Sequence, residues 1–115
     1  MRLCKPRDAR ARLERQALRL LDALGARQAH AGNFRHAVDC YEGALEIEPR
    51  SESLYRALMR VRIAQGEDAE VLALYERCRD MLATHLHRVP SIETQRIIES
   101  FSLRMRGPRG SSREE

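Results

Sequence analysis

Tryptophan is absent from this 115-residue chain, and aromatic residues make up only 4% of it. Sheets packed face to face draw on aromatic and β-branched side chains, so this shortage argues against a β-sandwich or barrel. Long apolar runs are missing as well: none approaches the roughly 18 residues that a membrane span requires. The opening stretch Met1-Arg2-Leu3-Cys4-Lys5-Pro6-Arg7 carries charge with no apolar segment behind it. That is not the pattern of a secretory leader, so a cytoplasmic location without membrane contact is expected. Cysteine is scarce. Cys4, Cys40 and Cys78 are odd in number and widely spaced, which suits reduced thiols better than a disulfide framework.

What is present favours helix. The chain is 43% hydrophobic and 33% charged, and its commonest residues, Ala, Leu, Arg and Glu, all rank high in helix propensity. Length and composition suit one all-α domain with a modest core. The net charge is +4, but it is not evenly spread. Arg2, Lys5, Arg7, Arg10, Arg12, Arg15 and Arg19 crowd the start of the chain against Asp8 and Glu14 alone. The excess is a local basic head, not a stripe along the whole domain.

Apolar residues recur at steps of three and four through most of the chain, the period of a helix face. The first helix is expected from about Asp8 to His30, with Leu13, Ala17, Leu20, Leu21 and Leu24 on one face and Gly32 beyond its end. Asn33 is a candidate cap for a second helix with the stripe Phe34, Ala37, Val38, Tyr41, Ala44 and Leu45, closed by Pro49. Ser51 is placed to cap a third, with Leu54, Tyr55, Leu58, Met59 and Val61, and Gly66 breaks it. A fourth carries Val71, Leu72, Tyr75, Cys78, Met81 and Leu82. Pro90-Ser91 opens a fifth with Ile92, Ile97, Ile98, Phe101 and Met105. The expected organisation is a basic segment over 1–9, a helical domain over 10–105, and a tail without structure over 106–115.

The punctuation repeats at an interval of 34 residues. Gly32 falls on Gly66, Ala37 on Val71, Tyr41 on Tyr75, Ala44 on Cys78, Leu21 on Tyr55, and Leu24 on Leu58. That interval is the period of the tetratricopeptide repeat. The first unit, Leu18 to Ser51, carries Leu21, Leu24-Gly25, Gly32, Phe34, Ala37, Tyr41, Ala44 and Pro49 at the marker positions of that repeat. Small residues at Gly25, Ala37 and Ala44 let helix backbones approach, Leu21 and Tyr41 fill the space between, and Pro49 turns the chain onward. The second unit, about Glu52 to His85, is looser: Met59 takes the small position, Cys78 replaces an alanine, and no proline closes it. The expected fold is therefore an all-α, tetratricopeptide-like right-handed array of about five helices, the last covering the exposed side of the final pair.

Three runs make a more specific resemblance: Leu54-Tyr55-Arg56-Ala57-Leu58-Met59-Arg60, Ala73-Leu74-Tyr75-Glu76-Arg77-Cys78-Arg79, and Pro90-Ser91-Ile92-Glu93-Thr94. Together they resemble the bacterial transcriptional activator domain, over about Arg10 to Phe101. This is the tetratricopeptide-like module of antibiotic-pathway regulators and of large ATP-dependent transcription regulators. The resemblance implies a role in transcription control through dimer contacts or docking. One departure is His87, where the family commonly has glycine before the Val89-Pro90 turn. Another is that neither a recognition-helix element nor a G-x-x-x-x-G-K-[ST] phosphate loop appears, so the chain is expected to act without its own DNA-binding or ATPase domain.

The reactive residues form no recognisable site. His85 and His87 point to different faces of a helix, Cys40 and Cys78 fall in different repeats, and neither Cys-x-x-Cys nor His-Glu-x-x-His occurs. Glu42, Glu46, Glu48, Glu67, Asp68, Glu70 and Glu76 lie among arginines at helical spacing, as a solvated surface does. No catalytic residue, metal or cofactor is expected, and Cys78 is read as a small core residue. In this repeat type the first helix of each pair lines the concave face. That makes Gln28, Arg56, Arg60 and Arg62 the candidate partner-binding residues, suited to an acidic peptide or helix. The expected partner is a transcription regulator or a second copy of the chain. The alternative is nucleic acid, held by the basic first helix.

Overall fold

The computed structural model describes residues 6–113, with side chains described as far as Met105. Five α-helices follow one another: α1 Pro6–His30, α2 Phe34–Ile47, α3 Glu52–Gln65, α4 Asp68–Met81 and α5 Ile92–Arg113, with a π-helical turn, Leu82–Leu86, between the last two. No strand occurs among the described residues. Consecutive helices pack in the order α1, α2, α3, α4, and α5 returns to lie on α3. The architecture is two stacked helix pairs with a fifth helix against the second, an all-α tetratricopeptide-like array.

The repeat is visible in hydrogen bonds. At the end of α1, Gly32 has φ +85°; its N–H donates to Ala29 O at 3.1 Å, and Asn33 N–H donates to Gln28 O at 2.8 Å. At the end of α3, Gly66 has φ +76°; its N–H donates to Ile63 O and Glu67 N–H donates to Arg62 O, both at 3.0 Å. Both are Schellman motifs, in which a left-handed residue past the helix end returns two N–H groups to the orphan carbonyls. Glycine takes that conformation without the clash a Cβ would suffer. The next helix then starts at once, with Ala37 N–H on Asn33 O and Val71 N–H on Glu67 O.

The core is centred on α2 and α3, the two helices with neighbours on both sides. Ala37, Ala44, Leu58, Met59, Val71 and Cys78 are fully or almost fully buried, and Tyr41 and Tyr55 nearly so. Gly25 is the buried residue of α1, and a Cβ built there would stand 2.9 Å from the Tyr41 ring. The missing side chain is what lets the ring sink between α1 and α2. In the second unit Met59 occupies the equivalent position. Tyr75 accordingly stays half-buried, with the Arg79 guanidinium 5.9 Å from its ring centroid.

Four expectations are corrected. On α1, Leu13, Leu20 and Leu24 are exposed at 65, 70 and 45%, because the helix packs on α2 through Leu18, Leu21, Gly25 and Ala29. On α4 and α5, Leu72 and Ile92 are exposed, and Leu74 and Thr94 are buried. Asn33 makes no side-chain cap; its amide nitrogen donates instead to Gln28 Oε1 at 2.9 Å. Finally, α5 runs to Arg113, where a structureless tail from residue 106 is expected from Gly107, Pro108 and Gly110. Pro6–Ala9 belong to α1, and Cys4 with the first basic residues lies outside the described residues.

Two outcomes test this packing. Tyr41→Ala should destabilise the chain by roughly 3–5 kcal/mol as a large-to-small core change. Gly25→Ala should destabilise it too, although alanine gains about 1 kcal/mol of helix propensity over glycine. On a Tyr41→Leu background the alanine should cost less, and urea denaturation of the four variants measures the coupling. Separately, Gly32→Ala and Gly66→Ala should cost similar amounts, about 1–2 kcal/mol each, because both force a Cβ into the left-handed region.

Candidate functional site

Two serines and one carboxylate fix where α5 lies. Ser51 caps α3 by accepting the Leu54 N–H at 3.4 Å, and Ser91 caps α5 by accepting the Thr94 N–H at 3.4 Å. Glu52, in the first turn of α3, joins the two starts. Its carboxylate accepts the Ser91 N–H at 2.8 Å and the Thr94 hydroxyl at 2.5 Å. Two cations stand beside it, Arg88 at 3.4 Å and Arg56 at 3.7 Å. Arg56 also donates to Ser91 Oγ at 3.3 Å and Thr94 Oγ1 at 3.2 Å. Glu52 and Thr94 are buried, and every buried side-chain polar atom among the described residues has a partner.

The turn before α5 is shaped to deliver these groups. Leu82–Leu86 forms one wide π turn, closed by His87 in the left-handed conformation at φ 54°. Arg88 N–H then donates back to Leu82 O at 3.2 Å. This folds the chain sharply, brings the Arg88 guanidinium to Glu52, and sets Pro90 and Ser91 over the start of α3. A histidine in that conformation is less strained than a bulkier residue, though glycine would be at ease there.

Burial alone would push the Glu52 carboxyl up. The hydrogen bonds from Thr94 and Ser91 and the charge of Arg88 outweigh it, and the group is held below its ordinary value. Cys78, packed behind this network, behaves in the opposite way: burial, with Glu52 adding to it, pushes the thiol up to about 11. A thiol so held is protonated at neutral pH and is a poor nucleophile. Among the described residues there is no group of three or more His, Cys, Asp or Glu that could hold a metal ion.

With α5 docked, an open cleft of about 440 Å³ lies between it and α3. Ile63 and Ile97 provide apolar surface, and Arg60, Arg96 and Arg104 surround them, with Ser100 on the wall and Glu93 toward one end. Three guanidiniums face one carboxylate, so the cleft is electropositive over an apolar floor.

The four residues expected to bind a partner are thereby divided. Arg60 lines the cleft. Arg56 is drawn into the Glu52 network and is half-buried. Arg62 donates to Gln65 Oε1 at 3.0 Å, and Gln28 accepts from Asn33. Sequence reasoning misses Arg96 and Arg104, because helical spacing marks the apolar positions of α5 and not which of its arginines face α3. It also missed Glu52 and Thr94, although Pro90–Thr94 is among the segments that carry the resemblance. The available signal was the threonine on the core-facing line of α5, one turn ahead of Ile97 and Ile98.

Lowering the pH should loosen α5 first. The folded-state pKa of Glu52 lies below that of the unfolded chain, so its stabilisation is present in full above the ordinary value of 4.5 and fades as pH falls through the lowered one. Hydrogen exchange across that range should show α5 amides losing protection before those of α2. Glu52→Ala should bring the same loss at neutral pH, at a cost of about 1–3 kcal/mol for the partners left unmet.

The profile of the bacterial transcriptional activator domain matches residues 5–101. No curated protein matches the chain, and no solved structure does. The match covers both helix pairs, the Glu52 network and the α3–α5 cleft up to Phe101, which is most of the molecule. This protein belongs to the bacterial transcriptional activator domain family.

Proposed function

We propose that this transcription-regulation domain works as a protein-interaction module, holding an acidic, partly apolar segment of a regulatory partner in the cleft between α3 and α5. The observation that carries the reading is the composition of that cleft: Arg60, Arg96 and Arg104 over Ile63 and Ile97. Guanidiniums bind carboxylates through paired, charge-assisted hydrogen bonds. The apolar floor adds affinity that salt does not screen. The domain works in the cytoplasm beside the regulator it serves. No catalytic role is assigned. Among the described residues no helix is long and apolar enough to cross a membrane.

The competing reading, nucleic-acid binding by α1, rests on Arg12, Arg15 and Arg19, which share one face of that helix. The two readings separate in one set of measurements. The full chain should capture a transcription-regulatory protein from native-cell extract, and Arg60→Glu with Arg96→Glu should weaken that capture on the order of tenfold or more while thermal melting is unchanged. Tight binding of duplex DNA with a steep salt slope, lost on replacing Arg12, Arg15 and Arg19, would favour nucleic acid instead.

A further inference from the structure

The first helix carries two apolar stripes and has a described neighbour for one. Leu18, Leu21, Gly25 and Ala29 face α2. Leu13, Ala17, Leu20 and Leu24 follow one another at steps of four, three and four, the spacing of a coiled-coil seam. The three leucines are 65, 70 and 45% exposed. Single exposed leucines are ordinary on a protein surface, whereas a line of them in seam register marks a face built for another helix.

The charges on that line select the occupant. Arg10 lies three residues before Leu13 and Arg27 three after Leu24, so both continue the seam, and both are exposed. Glu14, one turn from Arg10, lines one cleft with it and another with Leu18, Ile47 and Glu48, so it flanks the seam on the side of α2, and Asp8 and Asp22 fall on other faces of the helix. Each end of the stripe therefore carries an arginine on the seam itself, with Glu14 beside Arg10 but off that line and no carboxylate one turn from Arg27 on the helix. A second copy is a poor occupant. Antiparallel pairing sets Arg10 against Arg27 at both ends, and parallel pairing sets each arginine against itself. Like charges placed in register reject a partner as effectively as good contacts attract one.

We infer that the Leu13–Leu20–Leu24 face of α1 is a second docking surface, for a partner-protein helix that is apolar along one stripe and carries a carboxylate at each end of it. At a rise of about 1.5 Å per residue, the two carboxylates stand roughly 25 Å apart to meet Arg10 and Arg27. The half-buried Ala17 leaves room at the centre for a large side chain from the incoming helix. This surface is separate from the α3–α5 cleft and does not depend on the function proposed for it. Occupied together, the two surfaces let one small domain hold two regulatory proteins at once.

The test uses the full chain and an alanine-based helical peptide of about 24 residues, with leucines spaced to match the seam and a glutamate beyond each end. Fluorescence anisotropy should show saturable binding, at least tenfold weaker to the Leu20→Glu chain, whose melting temperature is unchanged because Leu20 is exposed. A peptide with lysine in place of glutamate should bind at least fivefold more weakly, and Arg10→Glu with Arg27→Glu should reverse that preference. The Arg60→Glu, Arg96→Glu chain should bind the peptide normally, which separates this surface from the cleft. Binding of neither peptide, equal binding of both, or a dimer by light scattering that Leu20→Glu dissolves would each overturn the inference.

Discussion

The Glu52 carboxylate is where the fifth helix is fastened to the rest of the molecule. It is buried, yet it stays ionised because a backbone N–H, a threonine hydroxyl and two guanidiniums surround it. A buried charge is costly unless it is both paired and hydrogen-bonded, and here it is both. The arrangement is also directional. It fixes Ser91 and Thr94, and so the start of α5, against the first turn of α3. Hydrophobic contact through Phe101, Ile97 and Ile98 alone would let α5 slide or rotate. The cleft exists because α5 is fixed in this register, so the candidate site depends on a polar contact at its edge.

The two helix pairs were legible in the sequence for a physical reason. Gly32 and Gly66 mark backbone positions that few other residues accept, and the Schellman bonds at both ends repeat at the interval read from the text. Buried stripes on α2 and α3 were equally clear, since helices with neighbours on both sides tolerate little ambiguity about which face is apolar. Terminal elements were harder to read. On α1 the leucines at 13, 20 and 24 obey the helical period as well as Leu18 and Leu21 do, and periodicity alone cannot say which stripe meets α2. On α5 the decisive core residue is Thr94, a polar residue whose burial makes sense only once Glu52 is opposite it.

The same limit governs the site. Arg60 was legible because the first helix of each pair was expected to line the concave face. Arg56 shares that helix and residue type, yet it is spent on the Glu52 network, a long-range contact that local spacing does not reveal. Arg96 and Arg104 belong to the cleft only because of how α5 is rotated about its axis. Family membership makes the chain a transcription-regulation domain, and its surface carries an arginine-lined cleft between α3 and α5 and a line of exposed leucines on α1.

The most direct test of this account is a double-mutant cycle between Glu52 and Thr94, using Glu52→Gln and Thr94→Val in urea denaturation. If the carboxylate and the hydroxyl hold α5 together, the two changes are coupled by about 1–3 kcal/mol. Additivity to within about 0.5 kcal/mol would mean that α5 is positioned by other contacts, and the cleft would lose its structural basis.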